Sequence, residues 1–271
     1  MIYPKITIVT PSYNQGAFIE KTIHSVLDQS YPNLEYIIID GGSTDNSISI
    51  IKKYEKHLSY WVSEVDKGQS HAINKGLNRA SGDLLGWLNS DDYYVGGALH
   101  KLAKAYKEDT SVGVVYGRGL IQDEKGRKVY EPVLTEVTVQ SLCEWCYSND
   151  FMQPSTLFTK EAWAECGPLD EEIHIAMDVD FWLKVRKKYK FKMVDAMLSC
   201  SLSHEGAKTT ALRNQMFVDT ALVVSKHGGE VAARKMLDEM ADKLTECQKF
   251  RDYFSRNIFL KIIRRYISWR M

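Results

Sequence analysis

The stretch Asp83-Leu84-Leu85-Gly86-Trp87-Leu88-Asn89-Ser90-Asp91-Asp92-Tyr93-Tyr94 decides the fold. Its first half reads as an apolar strand, Leu84 to Leu88, and two adjacent carboxylates stand where that strand ends. Carboxylates at the C-terminal edge of a buried strand overlook the crevice where open α/β sheets bind ligands. Paired hard oxygen donors suit Mg²⁺ or Mn²⁺, the ions that accompany diphosphates. A plainer reading makes one of the aspartates the cap of a helix predicted over residues 96–107.

Working outward, strand and helix alternate. Ile6 to Thr10 is a β-branched run, and Tyr36 to Ile39 has no polar break, as a strand buried on both faces requires. Tyr60 to Ser63 is a third short strand. Helical spacing of apolar residues covers Gly16 to Gln29, Asn46 to Tyr54 and Gln69 to Ala80. This alternation predicts a mostly parallel sheet covered on both faces. Further strands are expected at Val112 to Tyr116, Leu120 to Gln122 and Lys128 to Tyr130, and further helices at Lys160 to Cys166 and Val179 to Lys188. Cys143 is placed on a short helix with Leu142 and Trp145, and Trp87 and Trp182 in the core. The last seventy residues read as helical with a break at Gly228-Gly229.

Three polar clusters fall on the same predicted sheet edge as the acidic pair: Thr10-Pro11-Ser12-Tyr13-Asn14, Asp40-Gly41-Gly42-Ser43-Thr44-Asp45, and Asp66 to Asn74. Gly-Gly permits close backbone approach or positive φ. Asp40 has the chemistry to accept a hydrogen bond from an imide N–H such as that of uracil, and Asp45 that of a helix cap. No G-x-G-x-x-G follows the first strand, and neither a P-loop nor a G-x-S-x-G elbow occurs. No run approaches the roughly 20 apolar residues that span a bilayer, and the opening residues do not read as a signal peptide. Five cysteines with a lone C-x-x-C, Cys143 and Cys146, fit a reducing compartment better than a zinc site.

With these motifs assembled, the chain resembles the family-2 glycosyltransferases of the inverting GT-A type over roughly residues 4 to 209. The carrying segments are TPSYN (Thr10 to Asn14), DGGSTD (Asp40 to Asp45), DKGQSHAINKG (Asp66 to Gly76), GWLNSDD (Gly86 to Asp92), QPS (Gln153 to Ser155) and MDVDFWL (Met177 to Leu183). The resemblance implies a GT-A nucleotide-binding domain over residues 1–208 and a helical extension over 209–271. It implies transfer of a sugar from a nucleotide-sugar donor, with UDP favoured, to a saccharide or lipid-linked acceptor, in surface polysaccharide or glycolipid assembly. Donor contacts are implied at Thr10, Pro11, Tyr13, Asp40, Lys67, Asn74 and Asp91, and Mn²⁺ or Mg²⁺ at Asp91, Asp92 and His204. Asp178 matches the catalytic base and Asp180 competes with it. As Asp178 opens a helical run, peptide dipoles are expected to keep it ionised. In the stretch His204 to Thr209, His204 and Lys208 have the chemistry to contact the diphosphate or the metal, beside a plain structural role; Gln153 and Ser155 fall where the resemblance implies the acceptor-site wall, with hydrogen bonding within a loop as the plainer reading. The chain departs from the family at Asn89, often Asp in relatives, and at Met177, often Glu. A nucleotidyltransferase and a non-catalytic nucleotide-sugar-binding subunit are the competing readings; the former would release pyrophosphate rather than nucleoside diphosphate.

The formal net charge is zero but unevenly spread. Residues 249–271 hold seven Lys/Arg against Asp252 alone, about +6, so the remainder carries about −6. Ile258 to Arg270 has a helical pattern with one apolar and one basic face, which suits an anionic membrane surface and equally a helix packed on the body or a dimer contact. The expected location is therefore cytoplasmic, peripheral on the inner membrane face. An acidic body argues against nucleic acid as a partner.

Overall fold

The computed structural model describes residues 3–147 and 152–256. In chain order the elements are β1 (Ile6–Ser12), α1 (Ile19–Leu27), β2 (Leu34–Asp40), α2 (Ser47–Lys53), β3 (Tyr60–Ser63), α3 (Gln69–Leu77), β4 (Leu84–Trp87), β5 (Tyr93–Tyr94) and α4 (Ala98–Glu108). There follow β6 (Val114–Asp123), β7 (Lys128–Tyr130), α5 (Val139–Cys143), β8 (Thr156–Thr159), α6 (Lys160–Cys166) and α7 (Met177–Lys188). The chain continues through β9 (Phe191–Ser203), α8 (Lys208–Ala211), α9 (Arg213–Lys226) and α10 (Glu230–Arg256).

One sheet of nine strands organises the described residues, in the order β3-β2-β1-β4-β8-β6-β9-β5, with β7 paired to β6. The first four strands are mutually parallel. Then β8 enters antiparallel between β4 and β6, β9 runs parallel to β6, and β5 closes the far edge antiparallel to β9. Helices cover both faces, so β1 is buried along its whole length and β2 over its last five residues. Under one face α3, α6, α7, α9 and the start of α10 bury a core with Trp87, Phe158, Phe181 and Trp182 at its centre. Trp87 and Trp182 stack with ring centroids 5.6 Å apart, where each indole withdraws a large apolar area from water. Under the other face α1, α2 and α4 bury Ile8, Ile23, Ile38, Ile51 and Leu99.

Two strands expected separately, at 112–116 and 120–122, are one continuous β6. The register shifts at Gly117, Arg118 and Gly119 carry the chain through without a break, and a Cβ at Gly117 would come within 2.4 Å of Leu198 Cδ1. Neither β5, β8 nor β9 was expected. The caps also differ: α4 begins at Gly97, which adopts φ +77°, so neither Asp91 nor Asp92 caps it, and α7 begins at Ala176 rather than at Asp178. The basic segment Ile258 to Arg270 lies outside the described residues.

Candidate functional site

Parallel register gathers the polar clusters on one edge. Ser12 pairs with Asp40 and Asp40 with Ser63, while Val9 pairs with Trp87 at the end of β4. The loops after β1, β2, β3 and β4 therefore leave the sheet side by side. Two glycines let the second and third loops meet. Gly42 adopts φ +82°, and a Cβ at Gly41 would come within 2.7 Å of Asp66 Oδ2. Asn14 ties the first loop to the second: its N–H donates to Ser43 Oγ (2.8 Å) and its Oδ1 accepts from Thr44 N–H (2.9 Å). Asp45 performs a cap-like role, accepting from Ser47 N–H and Gly16 N–H.

The acidic turn after β4 is held from α1. Thr22 Oγ1 donates to the carbonyls of both Ser90 and Asp92. This turns the two aspartates in different directions. Asp91 keeps a partly open carboxylate whose Oδ2 lies 3.1 Å from His204 Nε2, just after β9. His204 is steadied by Phe18, ring centroid 4.5 Å away. Asp92 is buried, with Asn89 Nδ2 donating to its Oδ2 (3.2 Å). Burial and the neighbouring Asp91 charge push its carboxyl well above the usual range, against hydrogen bonds from Ser201, Asn89 and Leu202 N–H. Asp91 and Asp92, expected to ligate together, thus sit in different surroundings, and among the described residues no three His, Cys, Asp or Glu side chains gather as a metal site. Asp91 and His204 alone supply one oxygen and one nitrogen donor. Mg²⁺ and Mn²⁺ commonly take one or two protein carboxylates and complete their shell with substrate phosphate, so this pair fits such an ion at a diphosphate.

A polar chain leads from this turn across the edge. Asn89 Oδ1 accepts from Gln69 Nε2 (2.8 Å), and Gln69 Oε1 accepts from Lys208 Nζ (2.8 Å). The Lys208 charge acts in turn on Asp178 and Asp66. Gln69, absent from the sequence-derived candidates although it lies inside a quoted motif, is the hub of this chain. Asp178 is partly exposed in the first turn of α7, and its Oδ1 accepts from Val179 N–H (2.9 Å). The backbone N–H groups expected to keep it ionised are opposed by burial. Burial wins, and its carboxyl is pushed up to about 6 although backbone N–H groups and Lys208 pull it down. Asp180, the competing candidate, is fully buried and committed to Lys184 (2.5 Å) and His227 (2.8 Å).

Several other candidates face inward. Thr10 is buried with Oγ1 3.1 Å from Tyr36 Oη, and Pro11 is buried. The Asn74 amide is used up as a brace: Nδ2 donates to Leu169 O and Glu171 Oε1, and Oδ1 accepts from Leu169 N–H. Asp40 is wholly enclosed. Its Oδ2 accepts from Gly42 N–H, Ser43 N–H and Ser63 Oγ, and its Oδ1 from Ser43 Oγ. It shapes the loop instead of presenting a free acceptor to a base. Gln153 and Ser155, expected at an acceptor wall, bond inward to Trp87 O and to Arg118 O and Ser199 Oγ. Tyr13 stands 60% exposed at the rim, and Lys67 is exposed at the lip. Three buried polar atoms on these loops and on α3 have no partner: Ser12 Oγ, Gln15 Oε1 and His71 Nδ1. Buried polar atoms left unsatisfied in this way mark a place where a polar ligand restores hydrogen bonds.

Comparison with known proteins agrees with this geometry. The family described as Glycosyl transferase family 2 matches residues 7–160. TuaG of Bacillus subtilis, named for teichuronic acid biosynthesis, is 44% identical over 103 residues, which cover 36% of this chain and 40% of TuaG. The chain thus spans less than half of that relative. Among solved structures, S. aureus TarS 1-349 in complex with UDP superposes with a TM-score of 0.63 at 18% identity, covering 93% of this chain and 75% of TarS 1-349. Mannosyltransferase PcManGT of Pyrobaculum calidifontis, in complex with GDP-Man and Mn²⁺, gives 0.62 at 17% identity, covering 99% and 80%. At such identities the likeness is one of fold, the GT-A type.

Proposed function

The chain belongs to glycosyl transferase family 2, and from that premise we propose that it transfers a sugar from a nucleoside diphosphate donor to an acceptor hydroxyl with inversion. The polar chain from Asn89 through Gln69 to Lys208, with Asp91–His204 at one end and Asp178 at the other, carries this reading. Asp91 and His204 would hold Mn²⁺ or Mg²⁺, which supplies charge neutralisation to a departing diphosphate when bound. Lys208 adds a cation beside the same oxygens. Asp178 accepts the proton of the acceptor hydroxyl as that oxygen bonds to the anomeric carbon; the sugar–phosphate bond breaks and its electron pair leaves with the diphosphate. One displacement requires one base, and a carboxylate pushed up to about 6 sits close to a useful working range. Tyr13 offers a flat face to a nucleobase at the rim, and Asp40 holds the loop behind it.

UDP is the first nucleotide to test, since TarS was solved with it; GDP is the control, since PcManGT was solved with GDP-Man. TuaG's name points to a surface polysaccharide as product. The basic apolar segment at the C-terminus would bring the enzyme to an anionic membrane surface, where a lipid-linked acceptor resides. The deciding experiment is thermal unfolding with UDP, Mn²⁺ and both together. A ligand at 100 times its dissociation constant stabilises by about 2.7 kcal/mol, roughly 5 °C or more at this size. A shift needing both components, and abolished in Asp91→Asn, is expected; no shift with any nucleoside diphosphate would refute the proposal.

A further inference from the structure

Lys208 opens α8, a helix of four exposed residues that starts without a side-chain cap. A lysine carries its charge on a flexible four-carbon stem, and holding that stem still costs rotamer freedom. Among the described residues its Nζ reaches Gln69 Oε1 at 2.8 Å and the His174 carbonyl at 3.5 Å. The second distance is at the outer limit of a hydrogen bond, so it is Gln69 that fixes the ammonium. Gln69 itself stands on firmer ground. It is the first residue of α3, where Ser70, Ala72, Ile73 and Asn74 are buried. Asn74 in turn is pinned to Leu169 through both ends of its amide. Rigidity therefore passes from a buried helix to an exposed turn through one side-chain amide.

The chemistry of this link demands an amide. An ammonium only donates, so Gln69 turns Oε1 to Lys208 and Nε2 to Asn89 Oδ1. Asn89 is left with Nδ2, which donates to Asp92 Oδ2 at 3.2 Å. The cation at one end thus sets the direction of both amides, and the chain of bonds runs one way, from Lys208 to the acidic turn. A glutamate in place of Gln69 would accept from Lys208 but could not donate to Asn89. A lysine or arginine there would donate to Asn89 but could not accept from Lys208. A side chain that does both joins the ammonium to the turn that carries Asp91.

We propose that Gln69 is a positioning residue for the diphosphate: it touches none of the reacting atoms, but it holds the Lys208 ammonium where the departing phosphates gather charge, so that Lys208 acts only through it. The inference rests on the glycosyl-transfer reading. A double-mutant cycle on nucleotide affinity tests it, measured by titration calorimetry on the full chain with saturating Mn²⁺ and with UDP and GDP in parallel. Methionine resembles both side chains in length and in helix propensity, so Gln69→Met and Lys208→Met remove the hydrogen bond and leave the helices. Each is expected to weaken whichever nucleotide the wild type binds by about tenfold, the order lost with a hydrogen bond to a charged group. The double variant is expected to lose the same factor, because a lysine that is no longer held has nothing further to lose. Without ligand, all three variants are expected to melt within about 2 °C of the wild type, as substitutions outside the core do. A Gln69→Met variant that binds as well as the wild type, a loss in only one of the single variants, or losses that multiply to about a hundredfold would each overturn the role of Gln69 and leave glycosyl transfer standing. So would an unliganded Gln69→Met variant melting about 5 °C or more below the wild type, which would make Gln69 a brace of the fold. A wild type that binds neither UDP nor GDP would sink the transfer reading first, and this role with it.

Discussion

Asp178 is a carboxyl whose ionisation the fold opposes, and that opposition is measurable. Its folded pKa, about 6, lies above its ordinary 3.8, and only the ionised form can take a proton. The acid limb of kcat/KM is therefore expected to fall tenfold per pH unit below about 6 and to level off above it; a limb near pH 4 would remove burial from the account. The same sign governs stability: a raised acid costs the folded state once it ionises. Asp178→Asn is thus expected to reduce turnover by about 10² to 10⁴-fold, to leave UDP affinity within a few-fold, and to leave the melting temperature unchanged or higher above pH 6. A variant with full turnover would remove Asp178 from the chemistry. Which single residues are readable from sequence follows from the same geometry. Motif membership locates a residue on the sheet edge but not the side it faces. Asp91 keeps a partly open carboxylate and Tyr13 stands out at the rim there, whereas Thr10, on β1, turns into the core against Tyr36. Asn74 lies five residues beyond Gln69 on α3, on another face of the helix, and braces Leu169. Asp92 differs from Asp91 only in which way a tight turn points it, and no local pattern encodes that.

At the scale of elements, two junctions decide how the site is held. The first is the corner between α9 and α10. His227 Nε2 lies 2.8 Å from Asp180 Oδ1, and Lys187 Nζ lies 3.2 Å from His227 Nδ1. An ammonium only donates, so Nδ1 is the acceptor and Nε2 carries the proton to the buried carboxylate. Lys226 reaches both Asp180 and Asp170. The helix bearing Asp178 is thereby bolted to the C-terminal hairpin, and His227→Ala is expected to cost about 1–3 kcal/mol, read as a lower urea midpoint with an unchanged m value. The second junction is Glu35, which accepts from Thr7 Oγ1, Lys5 Nζ and Ser81 N–H and Oγ and so clamps β1 and β2 to the turn before β4. Burial works against its ionisation, but the Ser81 and Thr7 bonds outweigh it and hold the carboxyl down at about 2. A depressed acid contributes stability that is complete above its unfolded value, near 4.5, and is lost as pH falls towards 2. The stability difference between wild type and Glu35→Gln is expected to shrink across that window in urea titrations; a constant difference would count against the clamp. The elements readable in advance were those with one clear period: the runs at β1 and β2, the helices α1 to α3, and the strand before the acidic pair. The others lacked it. Strand β9 mixes polar and apolar residues because only Leu198 to Cys200 are buried, β5 is two residues long, and β8 is a four-residue antiparallel insertion whose place between β4 and β6 depends on distant chain.

On the scale of the whole molecule, zero net charge conceals a separation of charge that acts at a distance. About −6 is spread over residues 1–248 and about +6 is concentrated in the last 23. No helix among the described residues is long and apolar enough to cross a membrane. Residues 257–271 hold Lys261, Arg264, Arg265 and Arg270 with no acid, beside Ile258, Phe259, Leu260, Ile262, Ile263, Ile267 and Trp269. Each basic residue near an anionic leaflet contributes about 1 kcal/mol, and the apolar residues add to this as they enter the interface. The acidic body, repelled by the same leaflet, would be held off it and the chain oriented tail-down. The full chain is therefore expected to sediment with vesicles containing about 30% phosphatidylserine and to be released by about 0.5 M NaCl, where the screening length is only a few ångströms. A chain ending at Arg256 is expected to remain in the supernatant. Equal binding by both would locate the attraction elsewhere.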